Sequence, residues 1–103
     1  MFENNRNRFA TYGVIAQIPG ELIDQVWSII DNNLQGIFPL GQTLAFQLTN
    51  HNGTISYDYI QDNDVVASFD TDFPSDPGYP DLLLAYDDGE NQTILLPDEA
   101  NNN

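Results

Sequence analysis

The dipeptide Asn52-Gly53 constrains this chain more than any other feature. Both residues tolerate positive φ, and a two-residue β-hairpin turn needs that at both positions. Counting outward through "TLAFQLTNHNGTISYDYI" sets Leu48 opposite Tyr57 and Phe46 opposite Tyr59 on one face. Gln47 then meets Asp58 on the other face. His51, the single histidine, flanks the turn, and nothing near it in sequence completes a metal or catalytic site.

Other segments read around that hairpin. Residues 9–18, "FATYGVIAQI", have the aromatic and β-branched content of a first strand. Pro19 suits the first turn of a helix, and Glu21 sits near the positive end of its dipole. Leu22, Val26, Ile29 and Ile30 follow helical spacing, widened by Ile23, Trp27 and Leu34. A helix over about 19–34 is expected, with Trp27 in the core and Asp24, Gln25, Ser28 and Asp31 on the other side. "DVVASF" reads as a third strand of the sheet, and "DTDFPSDPGYP" as a loop because of its prolines and glycine. "DLLLAY" and "TILLP" flank Asp88-Gly89, a second turn of the favoured hairpin type. The run Leu82–Leu84 is expected to be buried on both faces. These pieces make an α+β domain, one helix packed on an antiparallel sheet of about five strands. A length of 103 residues fits a single domain over 1–103, with its core at about 8–97 and short polar ends.

Charge is the outlying property. Sixteen acids face two arginines, a formal −14, and lysine is absent. Both cations, Arg6 and Arg8, precede residue 9, whereas the acids concentrate from Asp58 onward. Such a surface repels nucleic acid and anionic lipid and attracts basic surfaces. With 41% hydrophobic residues the chain is not a disordered acidic tail. No cysteine is present, so disulfides and thiolate metal sites are excluded. The start "MFENNRNRFATYG" has no signal-peptide apolar run, and no stretch is long enough to span a bilayer, so a cytoplasmic location is expected.

The acids fit two chemistries poorly. "DTDFPSD" begins like a calcium loop but places Phe73 and Pro74 where ligands and the glycine belong, so no metal or other cofactor is expected. A paired-carboxylate hydrolase needs a cleft that a sheet-and-helix domain of this size hardly provides. The expectation is that the chain is not an enzyme.

The remaining reading makes the acids a recognition surface. Asp62 and Asp64, like Asp70 and Asp72, are two apart, so on extended chain they share a face at a ~6.6 Å repeat. That repeat is of the order of the phosphate spacing along a nucleic-acid strand. Asp58, Asp62, Asp64, Asp70, Asp72 and Asp76 form one candidate patch, and Asp81, Asp87, Asp88 and Glu90 a second. Each would replace a phosphate oxygen for a lysine or arginine of a basic nucleic-acid-binding protein of the host. No direct contact with nucleic acid or membrane is expected. The competing reading is a housekeeping or adaptor domain whose charge serves solubility.

"RFATYGV", "IPGELIDQVWSIID", "FQL" and "YDDGENQTILLPDE" occur in an order that resembles the Firmicute family catalogued as domain of unknown function 960. The resemblance spans about residues 8–99 and rests on motifs that look structural. Over 50–81 this chain is purely acidic where members of the family carry basic residues. Some members resemble passengers of phages and mobile elements, which implies counter-defence against host enzymes. The stretch Ser75–Ile94 also bears a faint likeness to the end of the phage uracil-DNA glycosylase inhibitor. Together these make a DNA-mimic inhibitor the leading expectation, with CRISPR effectors, restriction enzymes and uracil-DNA glycosylase as candidate targets.

Overall fold

A computed structural model describes Phe2 and residues 7–100. The chain order is β1 (Asn7–Ala10), α1 (Tyr12–Gln17), α2 (Gly20–Ile29) and a π-helical turn (Ile30–Leu34). Five strands follow: β2 (Thr43–His51), β3 (Thr54–Gln61), β4 (Asp64–Pro74), β5 (Leu82–Asp87) and β6 (Asn91–Leu95). A short helix, α3 (Pro97–Ala100), ends the described chain. The strands form one sheet in the order β1-β6-β5-β2-β3-β4. All neighbours are antiparallel except β1 and β6, which run parallel and bring the two ends of the chain together. The α+β class and the mainly antiparallel sheet agree with expectation; the six strands and three helices among the described residues exceed the expected counts.

The central hairpin has the expected register, with Leu48 paired to Tyr57, Phe46 to Tyr59 and Gln47 to Asp58. Asn52 and Gly53 both adopt positive φ, 55° and 93°. The β5–β6 turn differs from the expected type, since among its residues only Gly89 has positive φ. Asp88 shapes that turn instead, its Oδ1 accepting the N–H groups of Glu90 and Asn91 at 2.8 and 2.7 Å. The two-residue turn of this kind that the sequence reading passed over is Asp62-Asn63, with φ of 53° and 68° between β3 and β4.

Two other expectations are corrected. The first strand stops at Ala10, because the Thr11 hydroxyl accepts the Val14 N–H at 3.3 Å and starts α1. A hydroxyl N-cap outweighs the β-propensity of the residues after it. The segment "DTDFP" is not loop: β4 runs on to Pro74, and the irregular chain begins only at Ser75. An edge strand tolerates this, since a proline there removes no ladder bond on its free side.

α2 and the π-helical turn bury Leu22, Ile23, Val26, Trp27, Ile29, Ile30 and Leu34. Opposite them the sheet presents Phe46, Tyr57 and Tyr59, whose rings meet edge-on or tilted at 6.4 and 5.5 Å between centroids. The Tyr57 hydroxyl donates to the Leu22 carbonyl at 2.9 Å, tying β3 to α2. Burial pushes this phenol's pKa well above its ordinary value, with Tyr79 adding to the shift. On β5 Leu83, Ala85 and Asp87 are buried, whereas Leu82 and Leu84 point to the uncovered face and stay partly exposed, so this strand is not buried on both sides. No helix among the described residues is long and apolar enough to cross a membrane.

Candidate partner-binding surface

Six acids follow the β3–β4 ribbon from its turn to its far end. Asp62 lies in the turn, and Asp64 opens β4 opposite Gln61. Asp58 faces Ser68 across the ladder, and the Ser68 hydroxyl donates to its carboxylate at 2.7 Å. Asp70 faces Ser56, whose hydroxyl donates to it in the same way. Asp72 follows two residues on, exposed on the same side of β4. Asp76 lies just past the strand and accepts the Gly78 N–H at 2.7 Å. Asp64, Asp70 and Asp72 lie on β4, and Asp58 lies across the ladder beside Ser68. These four carboxylates thus follow one edge of the sheet at intervals of about 7–13 Å, with Asp62 and Asp76 beyond the two strand ends. The serine hydroxyls each donate to one carboxylate oxygen, which orients the group.

The second group does not hold together as one patch. Asp81 is exposed at the start of β5, where its carbonyl accepts the Leu48 N–H at 2.8 Å. Asp88 and Glu90 are exposed at the opposite end of the sheet, beyond the end of β5. Asp87 is 1% exposed and serves the interior, contrary to its expected place on the surface. Its carboxylate accepts the Phe2 N–H at 2.7 Å, the Gly89 N–H at 2.8 Å and the Gln92 amide at 3.3 Å. A strand end at which the chain must turn needs such an acceptor.

Arg8, on β1, is turned inward. Arg8 makes two hydrogen bonds to the Asp31 carboxylate, 2.8 and 2.6 Å, and its Nε donates to the Gln92 side chain at 2.8 Å. Its guanidinium also lies over the Trp27 ring, 4.7 Å from the centroid. Asp31 therefore faces the core side of the helix, four residues beyond Trp27, and not the solvent side expected from sequence. Arg6 lies outside the described residues. Among those residues, Arg8 is committed to Asp31, and no lysine or arginine lies beside Asp58, Asp62, Asp64, Asp70, Asp72 or Asp76.

Arg8 belongs to a set of polar ties that sequence reading did not find. The Gln35 amide holds the Phe2 carbonyl, while Phe2 itself is fully buried. Glu99 accepts the Thr11 hydroxyl at 2.6 Å and the Leu96 N–H at 2.8 Å, so it caps α3 and locks it to the start of α1. A Cβ added at Gly13 would come within 3.0 Å of both the Glu99 Oε2 and the Leu96 Cδ1, which explains the glycine there. The opening segment "RFATYG" and the closing segment "NQTILLPDE" are thus one structural unit, joined by the parallel pairing of β1 with β6.

Comparison with known proteins agrees with that unit. A solved structure from Enterococcus faecalis, described as a protein of unknown function, is 42% identical to this chain with a TM-score of 0.90. The similarity covers 95% of this chain and 93% of the other. No curated protein matches. The family described as staphylococcal protein of unknown function, DUF960, matches residues 7–99, which takes in both ends of the β1–β6 unit and everything between them. This chain belongs to the DUF960 family.

Proposed function

We propose that this protein is a small acidic DNA mimic, of phage or mobile-element origin, that inhibits a host nucleic-acid-binding enzyme in the cytoplasm. One observation carries the reading: Asp58, Asp62, Asp64, Asp70, Asp72 and Asp76 lie along a single ribbon with no lysine or arginine among the described residues beside them. A basic cleft expects a line of negative charge at roughly regular spacing, and a sheet edge holds such a line with little conformational entropy left to lose. Aspartate keeps its charge close to that rigid backbone. The protein itself does no chemistry in this reading. The targets are enzymes with basic DNA clefts: a CRISPR effector, a restriction enzyme or a uracil-DNA glycosylase. The test is competition, with each enzyme titrated against labelled DNA in the presence of the protein. The proposal expects release of DNA from at least one of them, and equal DNA retention across the set would oppose it.

A second reading has its own observation. β4 is the last strand of the sheet, and its pairing with β3 is irregular between Thr54 and Ser56 and between Tyr59 and Ile60. Charged side chains and bulges on an edge strand discourage edge-to-edge association. If that is their role, this is an adaptor or housekeeping domain whose acids serve solubility. Replacing the ribbon acids with asparagine would then produce aggregation without loss of any captured partner.

A further inference from the structure

The sheet has a second face that α2 does not cover, and its register lines up apolar residues across it. Leu95 on β6 pairs with Leu84 on β5, Leu84 with Ala45 on β2, Ala45 with Ile60 on β3, and Ile60 with Val65 on β4. Paired residues share a face, so these five form one row perpendicular to the strands. All are partly or largely exposed, Val65 at 53%. Four strand spacings make the row about 19 Å long. At its Leu95 end a concavity of about 400 Å³ opens between the sheet and α3, lined by Thr43, Leu84, Tyr86, Leu95, Glu99 and Ala100. In the next row toward the other end of the sheet Leu82 is followed by the polar Gln47, Asp58 and Ser68 in register.

We infer that this row is a docking stripe for an amphipathic helix with a basic polar face, supplied by a partner protein. The sheet's backbone groups are already paired within the sheet, so an occupant lying on its face must satisfy its own backbone. A helix does so; a lone extended segment does not. A stripe of about 19 Å matches about 13 helical residues, and its single-row width matches one apolar helix face. Charge complementarity selects the sign. Asp58 borders the stripe, and Asp62 and Asp64 lie beside its Val65 end. A second copy of the chain is disfavoured as occupant by its own formal −14. The apolar contacts of the stripe come from residues other than the ribbon carboxylates, and Asp58, Asp62 and Asp64 only set the sign of the occupant's polar face, so the stripe does not depend on DNA mimicry.

The test titrates the whole protein into a labelled leucine/lysine helical peptide of about 14 residues. A proline-interrupted isomer of the same composition and a leucine/glutamate analogue serve as controls. The protein variants are Ile60→Gln with Leu84→Gln, and Val65→Gln alone, all of which keep the net charge. Binding of the helical lysine peptide is expected, at least tenfold tighter than that of either control peptide. The double variant should weaken it at least tenfold and Val65→Gln about threefold. Because Val65 is the most exposed member, its variant keeps the test valid even if the double variant melts early. Equal binding of the proline isomer, or no effect of Val65→Gln, would overturn the inference. Sedimentation provides one more check: a dimer that Val65→Gln converts to monomer would mean that a second copy covers the stripe, and would overturn it too.

Discussion

The Arg8 guanidinium lies 4.7 Å from the centre of the Trp27 ring while both of its terminal nitrogens bond the Asp31 carboxylate. One cation thereby ties the first strand to two residues one helical turn apart on the packed helix. Its third contact, to Gln92, reaches the strand beside it. Arg8→Ala should destabilise the protein by about 2–4 kcal/mol, because a partly buried carboxylate loses its partner and a ring loses its cover. Arg8→Lys should recover only part of that, since an ammonium cannot reproduce the planar fork. Urea melts followed by Trp27 fluorescence measure both, and the emission should shift as the ring becomes exposed.

Gly13→Ala tests the tie between the chain ends. The new methyl would meet Glu99 and Leu96 at 3.0 Å, so α3 must shift or release. The expected cost is about 1–3 kcal/mol, the range for overpacking. Glu99→Gln, which leaves space but removes the charge from the acceptor of the Thr11 hydroxyl, should cost less. Thermal melts of the two variants give the order.

Tyr57 sets an alkaline limit. Its folded pKa is raised by burial, so the folded state keeps the phenol proton to higher pH than the unfolded chain does. The associated stability is complete below the ordinary tyrosine value of about 10 and is lost as pH rises past it. Tyr59 is shifted in the same direction, again by burial, with the Gln61 hydrogen bond opposing. Tyr57→Phe should therefore cost about 1 kcal/mol at neutral pH, through the lost bond to Leu22, yet flatten the fall in stability above pH ~10. Melts at neutral and strongly alkaline pH check the crossover.

Gly53→Ala reports on the central hairpin. At φ 93° an alanine is strained, although no atom lies within 4 Å of the added Cβ. A loss of about 1–2 kcal/mol is expected from backbone alone. A neutral outcome in chemical denaturation would mean that the turn relaxes to another type.

What could be read from sequence was local. The Asn52-Gly53 register and the apolar stripe from Leu22 to Leu34 follow from two short-range periodicities, and both appear in the structure as expected. The misreadings came from competition. Thr11 as a helix cap ended a run that otherwise looks like strand, and an edge position let β4 continue to a proline. Asp31 and Asp87 were assigned to solvent because their partners, Arg8 and Phe2, are distant in the chain. Nothing in local sequence marks a carboxylate as internal. The two-residue spacing of Asp70 and Asp72 on strand was legible, but Asp62 lies in a left-handed turn and not on extended chain with Asp64. The separation of these acids from Asp81, Asp88 and Glu90 depends on the strand order, which no local pattern specifies.

The central claim, that the ribbon carboxylates are a partner surface, rests most directly on one binding measurement. Asp62, Asp64, Asp70, Asp72 and Asp76 are replaced together by asparagine, and affinity for the enzyme identified by DNA competition is measured at about 50 and 200 mM salt. Asparagine keeps an acceptor oxygen for the Ser56 hydroxyl at position 70 and for the Gly78 N–H at position 76, and removing like charges relieves repulsion, so the melting temperature should hold or rise. The account predicts that the wild type binds tightly at low salt and loses affinity steeply at the higher one. It predicts that the five-fold variant binds at least a hundredfold more weakly and with little salt dependence. Equal affinity of the variant and the wild type, with salt dependence unchanged, would contradict it.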